Sequence, residues 1–157
     1  MANLINEVSQ IIFPQLPGNW SFLRNFSTGD HVVGKACFKE TAPNLLHYQE
    51  QGVLIHQGGQ FTVYRDYFYS FDRLSNEINV YFARNQQPDD LLHTLFFQEA
   101  INPIIAAGRH LCKNDCYEVS YHFLSEYRFE VIYRVKGPRK DYVSTTQYSK
   151  TVSSPGF

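Results

Sequence analysis

At 157 residues, with 43% hydrophobic and 18% charged side chains, the chain is sized for one domain and carries enough apolar surface to offset the conformational entropy of folding, which excludes intrinsic disorder. Fourteen basic against fifteen acidic residues leave a formal charge of -1, with no block of either sign, so a nucleic-acid partner is not expected. No apolar run approaches the ~18 residues of a membrane helix, and MANLINEVSQ has neither the basic nor the apolar region of a signal peptide, so the expectation is a cytoplasmic protein without a membrane partner.

The first element is helical. Leu4, Ile5, Val8, Ile11 and Ile12 recur on one helical face, Asn3 stands where a cap belongs and Pro14 where the helix should stop, which predicts a helix within residues 1–14. The rest of the chain offers almost no partner of helical period, so this stripe should dock on β-structure and lid one end of a barrel.

From Gly18 the period becomes two: Trp20, Phe22, Arg24 and Phe26 alternate with Ser21, Leu23 and Asn25, and Gly34, Ala36 and Phe38 with Lys35, Cys37 and Lys39. Further strands are predicted near 45–55, 60–70, 77–84, 116–124, 127–136 and 141–149, with weaker signals at 91–97 and 107–112. Turn chemistry separates them at Thr28-Gly29-Asp30, Gln57-Gly58-Gly59, Arg73–Asn76, Gln87–Asp90 and Gly137-Pro138. Eight to ten antiparallel strands in one domain over 1–157 must hide their edges, by closing as an all-β barrel or by forming a two-sheet sandwich. Residues 151–157 read as a frayed tail. Cys37, Cys112 and Cys116, an odd count, fit reduced thiols better than a disulfide framework. The acceptor-like triplets Asn19-Trp20-Ser21 and Asn25-Phe26-Ser27 are read as strand residues.

Gly18-Asn19-Trp20 on the first strand resembles the G-x-W signature of lipocalins and related calycins, in which the tryptophan closes one barrel end. A longer ordered series runs from residue 18 to 148: Arg24, Gly34-x-Ala36-x-Phe38, Tyr48-x-Glu50-x-Gly52, Arg65-x-Tyr67, His93, His110-x-Cys112-x-x-Asp115-x-Tyr117 and Gly137–Tyr142. It resembles a mainly bacterial and fungal family of domains of unknown function grouped with the calycins. The resemblance implies a calycin-like barrel and brings no activity, so function must be argued from the site. The pattern also departs from fatty-acid-binding calycins, whose arginine and tyrosine clamp lies late in the chain, whereas Arg65-x-Tyr67 is central.

Alternation on the strand through Arg65 groups Phe61, Val63, Arg65, Tyr67 and Tyr69 on its more apolar face. An arginine there needs a partner or a wet cavity. Glu50, flanked at period two by Tyr48 and Gly52, is the expected partner. The pair either fixes strand register, or Arg65, Tyr67 and Tyr48 bind a carboxylate, enolate or carbonyl oxygen beside Glu50.

His93 and His110 are either hydrogen-bonded core residues or, with Asp115 and Tyr117, groups able to move a proton. Lys140 and Asp141 lie in a turn next to Tyr142 and are either solvated or rim a pocket mouth. No familiar zinc-ligand spacing occurs around Cys112 and Cys116, no haem attachment motif exists, and no metal or cofactor is expected. The leading expectation is a binder of a small, partly apolar, anionic molecule. The alternatives are a lyase, isomerase or decarboxylase using Glu50, His93 or His110, and an interaction module with a filled barrel.

Overall fold

Ten strands carry the period-two pattern, and each pairs antiparallel with its neighbour in sequence. The computed structural model describes residues 4–152, with side chains described for 9–99 and 102–152. The strands are β1 (Gly18–Phe26), β2 (His31–Ala42), β3 (Leu45–His56), β4 (Gly59–Asp72), β5 (Glu77–Arg84), β6 (Gln87–Ile101), β7 (Ile104–Cys112), β8 (Asp115–Ser125), β9 (Arg128–Lys136) and β10 (Asp141–Lys150). β10 pairs with β1 from Trp20↔Lys150 to Phe26↔Ser144 and closes the barrel, which leaves the sheet without a free edge. The sandwich alternative is thereby set aside.

The turns mostly fall where expected, with one displacement. Asn85 and Gln86 both have positive φ (53° and 60°) and join Arg84 to Gln87 directly, a two-residue hairpin whose backbone twist matches its strands. The expected turn at Gln87–Asp90 is therefore the start of β6. The two weak strand signals, 91–97 and 107–112, belong to β6 and β7, whose ladder is short: Phe96 and Phe97 pair with Ala107 and Ala106, and Ile101 with Ile104. Toward the Leu91 end of β6 the two strands make no ladder pairs and border a cleft. A Cβ on Gly108 would come within 2.3 Å of the Thr94 carbonyl oxygen, so only glycine lets β7 pass there.

Helix α1 (Leu4–Gln15) covers one end of the barrel, and it continues one residue past the expected stop at Pro14. A proline's fixed φ is helical, and the Leu16 N–H donates to the Phe13 carbonyl at 3.2 Å to tighten the final turn. The Asn3 cap and the side chains of Leu4, Ile5 and Val8 lie outside the described residues. Ile12, Phe13 and Leu16 are buried, and Phe13 stacks on Phe71 at 5.5 Å. Trp20, 2% exposed, donates its indole N–H to the Leu16 carbonyl at 2.9 Å and meets Phe129 edge-on at 4.8 Å. Above it, Phe38, Tyr69, Tyr121, Phe129 and Tyr148 interlock as a filled aromatic core. No described helix is long and apolar enough to cross a membrane.

Candidate functional site

The inward faces of the strands carry two arginines, and their surroundings differ completely. Arg24 lies on β1, level with Thr146 of β10. Its two terminal nitrogens donate to the two oxygens of Glu50 at 2.8 and 3.0 Å, its Nε donates to Thr146 Oγ1 at 2.8 Å, and Nη2 also reaches the Tyr148 hydroxyl at 3.3 Å. Tyr48 donates to Glu50 Oε1 at 2.6 Å and lies 2.9 Å from the Tyr148 hydroxyl. Burial alone would raise the Glu50 carboxyl; the hydrogen bonds and charge of Arg24, with the Arg65 charge and the Tyr48 hydroxyl, outweigh it and hold the carboxyl below its usual range. Glu50 is thus a carboxylate fixed by three hydrogen bonds.

Arg65 stands directly across from Glu50 in the β3·β4 register, yet the expected Arg65–Glu50 ion pair does not form. Arg24 reaches Glu50 across β2, over the small residues Gly34 and Ala36, and engages both carboxylate oxygens in the parallel geometry that guanidinium groups favour. Arg65 is left, among the described residues, with no hydrogen bond and no ion pair. Burial and the nearby Arg24 oppose its charge, while Tyr67, Glu50 and Tyr148 favour it and prevail.

Arg65 lines a luminal cavity of about 180 Å³ at the barrel end opposite Trp20. Around it stand Tyr67 of β4, Tyr117 of β8, Tyr133 of β9, and Tyr142 and Ser144 of β10, with Phe26, Phe82, Leu92 and Val135 completing an apolar wall. At the rim, the Lys140 ammonium donates to the Tyr117 hydroxyl at 2.9 Å and lies 3.4 Å from Asp115 Oδ2. The expected cluster thus divides. Arg65, Tyr67, Tyr117 and Tyr142 share the cavity, Lys140 and Asp115 border it, and Tyr48 and Glu50 belong to the adjoining Arg24 network. Asp141 is exposed and borders a separate outer cleft with Arg109 and Arg134.

His93 is 3% exposed on β6, with Nε2 3.4 Å from the Tyr133 hydroxyl. Burial, and then the charge of His110, push its pKa down to about 4, so the imidazole is neutral at physiological pH. Both histidines border a larger cleft, about 640 Å³, beside the β6–β7 seam. Among the described residues no three His, Cys, Asp or Glu side chains gather to hold a metal ion.

Sequence reasoning passed over Tyr133, Phe26, Phe82 and Ser144 as site residues, although alternation on their strands places them on the inward face. It also passed over Arg24 as the partner of Glu50, although Arg24 carried the same signal as Arg65: a charge on an apolar strand face.

In three dimensions the barrel is similar to the S-type phycobiliprotein lyase CPES from Guillardia theta (TM-score 0.62, 9% identity, covering 97% of this chain and 100% of that one). It is also similar to Rv2717c from M. tuberculosis (TM-score 0.65, 10% identity, 92% and 98%), and to EF1p2_mFAP2b in its complex with DFHBI (TM-score 0.52, 11% identity, 89% and 97%). At such identities these likenesses show the fold. No curated protein is significantly similar in sequence. The match that identifies the chain is to a family model spanning residues 16–150, nearly the whole barrel, and by it the protein belongs to DUF6314, a family of unknown function.

Proposed function

We propose that this protein is a calycin-like binding barrel that holds a small anionic molecule in its luminal cavity, with the charge on Arg65 and the polar end among the hydroxyls of Tyr67, Tyr117, Tyr133 and Tyr142. One observation carries the reading: among the described residues, Arg65 faces the cavity with no hydrogen bond or ion pair of its own, beside a second arginine whose three guanidinium nitrogens all have partners. A guanidinium held there has donors free for a planar anion, and a bound carboxylate would take them up. Barrels of this architecture have room for one ligand, and the complex of EF1p2_mFAP2b with DFHBI is an instance in a similar barrel.

Native mass spectrometry of freshly purified protein tests the reading. A retained anion at one per barrel is expected in the wild type and should be absent from a folded Arg65→Met variant. Wild-type protein that retains nothing, and binds no member of a carboxylate panel, overturns it.

A catalytic reading rests on a different contact, between neutral His93 and the Tyr133 hydroxyl on the cavity wall. Such a pair can relay a proton to or from a bound molecule. Deuterium uptake from heavy water into a retained ligand, lost in Tyr133→Phe, is the expected sign, and equal uptake in that variant removes this reading.

A further inference from the structure

We infer that the luminal ligand is a monocyclic aromatic monocarboxylate; this rests on the binding reading above and narrows it to a chemical class.

Charge fixes the first term. Among the described residues at this end of the barrel, Arg24 and Arg65 are the inward cations and Glu50 the inward carboxylate, Lys140 and Asp115 offset each other at the rim, and His93 is buried as a neutral group, while Lys150 lies at the opposite end over the Trp20 ring. One positive charge is left over. A single negative charge cancels it, a dianion would leave the lumen with an uncompensated negative charge, and a neutral molecule would leave Arg65 as it stands.

Size fixes the second. The cavity of about 180 Å³ is only slightly larger than the roughly 150 Å³ of an apolar cavity known to take up benzene. It has room for one ring and a head group, and a fused or tetrapyrrolic ring system would have to extend out through its open mouth.

The wall fixes the third. Phe26, Tyr67, Phe82, Tyr117, Tyr133 and Tyr142 line the space. Tyr67 is already held between Tyr48, stacked at 6.1 Å with planes 7° apart, and Phe82, edge-on at 6.1 Å. An aromatic ring entering this set gains offset or edge contacts that a saturated ring of the same size does not. The planar guanidinium of Arg65 matches a planar carboxylate, and tyrosine hydroxyls can donate to its remaining lone pairs.

Calorimetric titration of the purified chain with benzoate, cyclohexanecarboxylate, phthalate, benzamide and octanoate tests this. Benzoate is expected to bind at one per barrel, roughly tenfold or more tighter than the others, and to weaken by about tenfold or more in Arg65→Met, with Arg65→Lys in between. Ser144→Leu, which fills the cavity floor and leaves every charge in place, should also abolish benzoate binding. If Arg65→Met does not fold, this variant decides alone. Binding of cyclohexanecarboxylate, phthalate or octanoate as tightly as benzoate, and dependent on Arg65, overturns the aromatic monoanion while the luminal site stands. Benzoate binding that survives Ser144→Leu overturns it too, and absence of Arg65-dependent binding by any of the anions overturns both.

Discussion

The two arginines inside the barrel sit in regions built to opposite ends. Around Arg24 every polar atom has a partner, aromatic rings fill the remaining space, and α1 with Trp20 shuts the floor. Around Arg65, across the sheet from the same Glu50, polar groups converge on open volume. Composition does not separate the regions, since both combine arginine with tyrosine. What separates them is whether the partners point at each other or at a space. A saturated network rigidifies a fold, whereas an open one leaves hydrogen-bonding capacity facing the space.

The comparison is broken most severely by attacking the saturated side. Arg24→Leu and Glu50→Leu each strand a buried charge and should each cost about 3–5 kcal/mol by urea unfolding, while the double variant regains most of the loss. Full additivity of the two losses would mean that the pair is not coupled.

Acid sharpens the contrast next, through His93. Unfolded, it takes up a proton below its ordinary value of 6.5; folded, only below about 4. Between those values the unfolded state holds more protons, so stability falls as the pH drops through that window, by up to about 3 kcal/mol from this residue. The lowered Glu50 carboxyl acts in the same direction at lower pH, its contribution present above its ordinary 4.5 and lost as pH falls through the folded value. In His93→Gln the loss between pH 6.5 and 4.5 should shrink, and an unchanged acid limb would remove His93 from this role.

The smallest effect on stability belongs to Arg65. In ligand-free protein Arg65→Met removes a group that makes no hydrogen bond or ion pair among the described residues and should change stability by less than about 1 kcal/mol, or raise it. A loss comparable to that of Arg24→Leu would show that Arg65 is a structural cation after all.

Much of the architecture was legible because a half-buried strand writes its orientation into every second residue. Arg65 and Glu50 could be placed on inward faces from Tyr67, Val63, Tyr48 and Gly52 alone. Their pairing could not, because alternation gives a face and not a distance: three inward charges on β1, β3 and β4 were equally eligible, and barrel closure brings Arg24 to Glu50 over an intervening strand. The histidines were harder still. Register shifts around Tyr81 and the short β6·β7 ladder set where His93 and His110 lie, and a bulge is invisible to any count of residues. These strands gave the faintest periodic signal and have the least complete ladder.

The ladder between β1 and β10 also bears on the order of synthesis. β1 is made before the other nine strands of the barrel, with one flank taken by β2, while its other partner is the tenth of them. Until that strand arrives, a nascent nine-strand sheet presents two raw edges, and Arg24 lacks the hydroxyls of Thr146 and Tyr148. The barrel therefore closes only once its tenth strand has been made, and a chain cut within β10 is left with edges that invite aggregation.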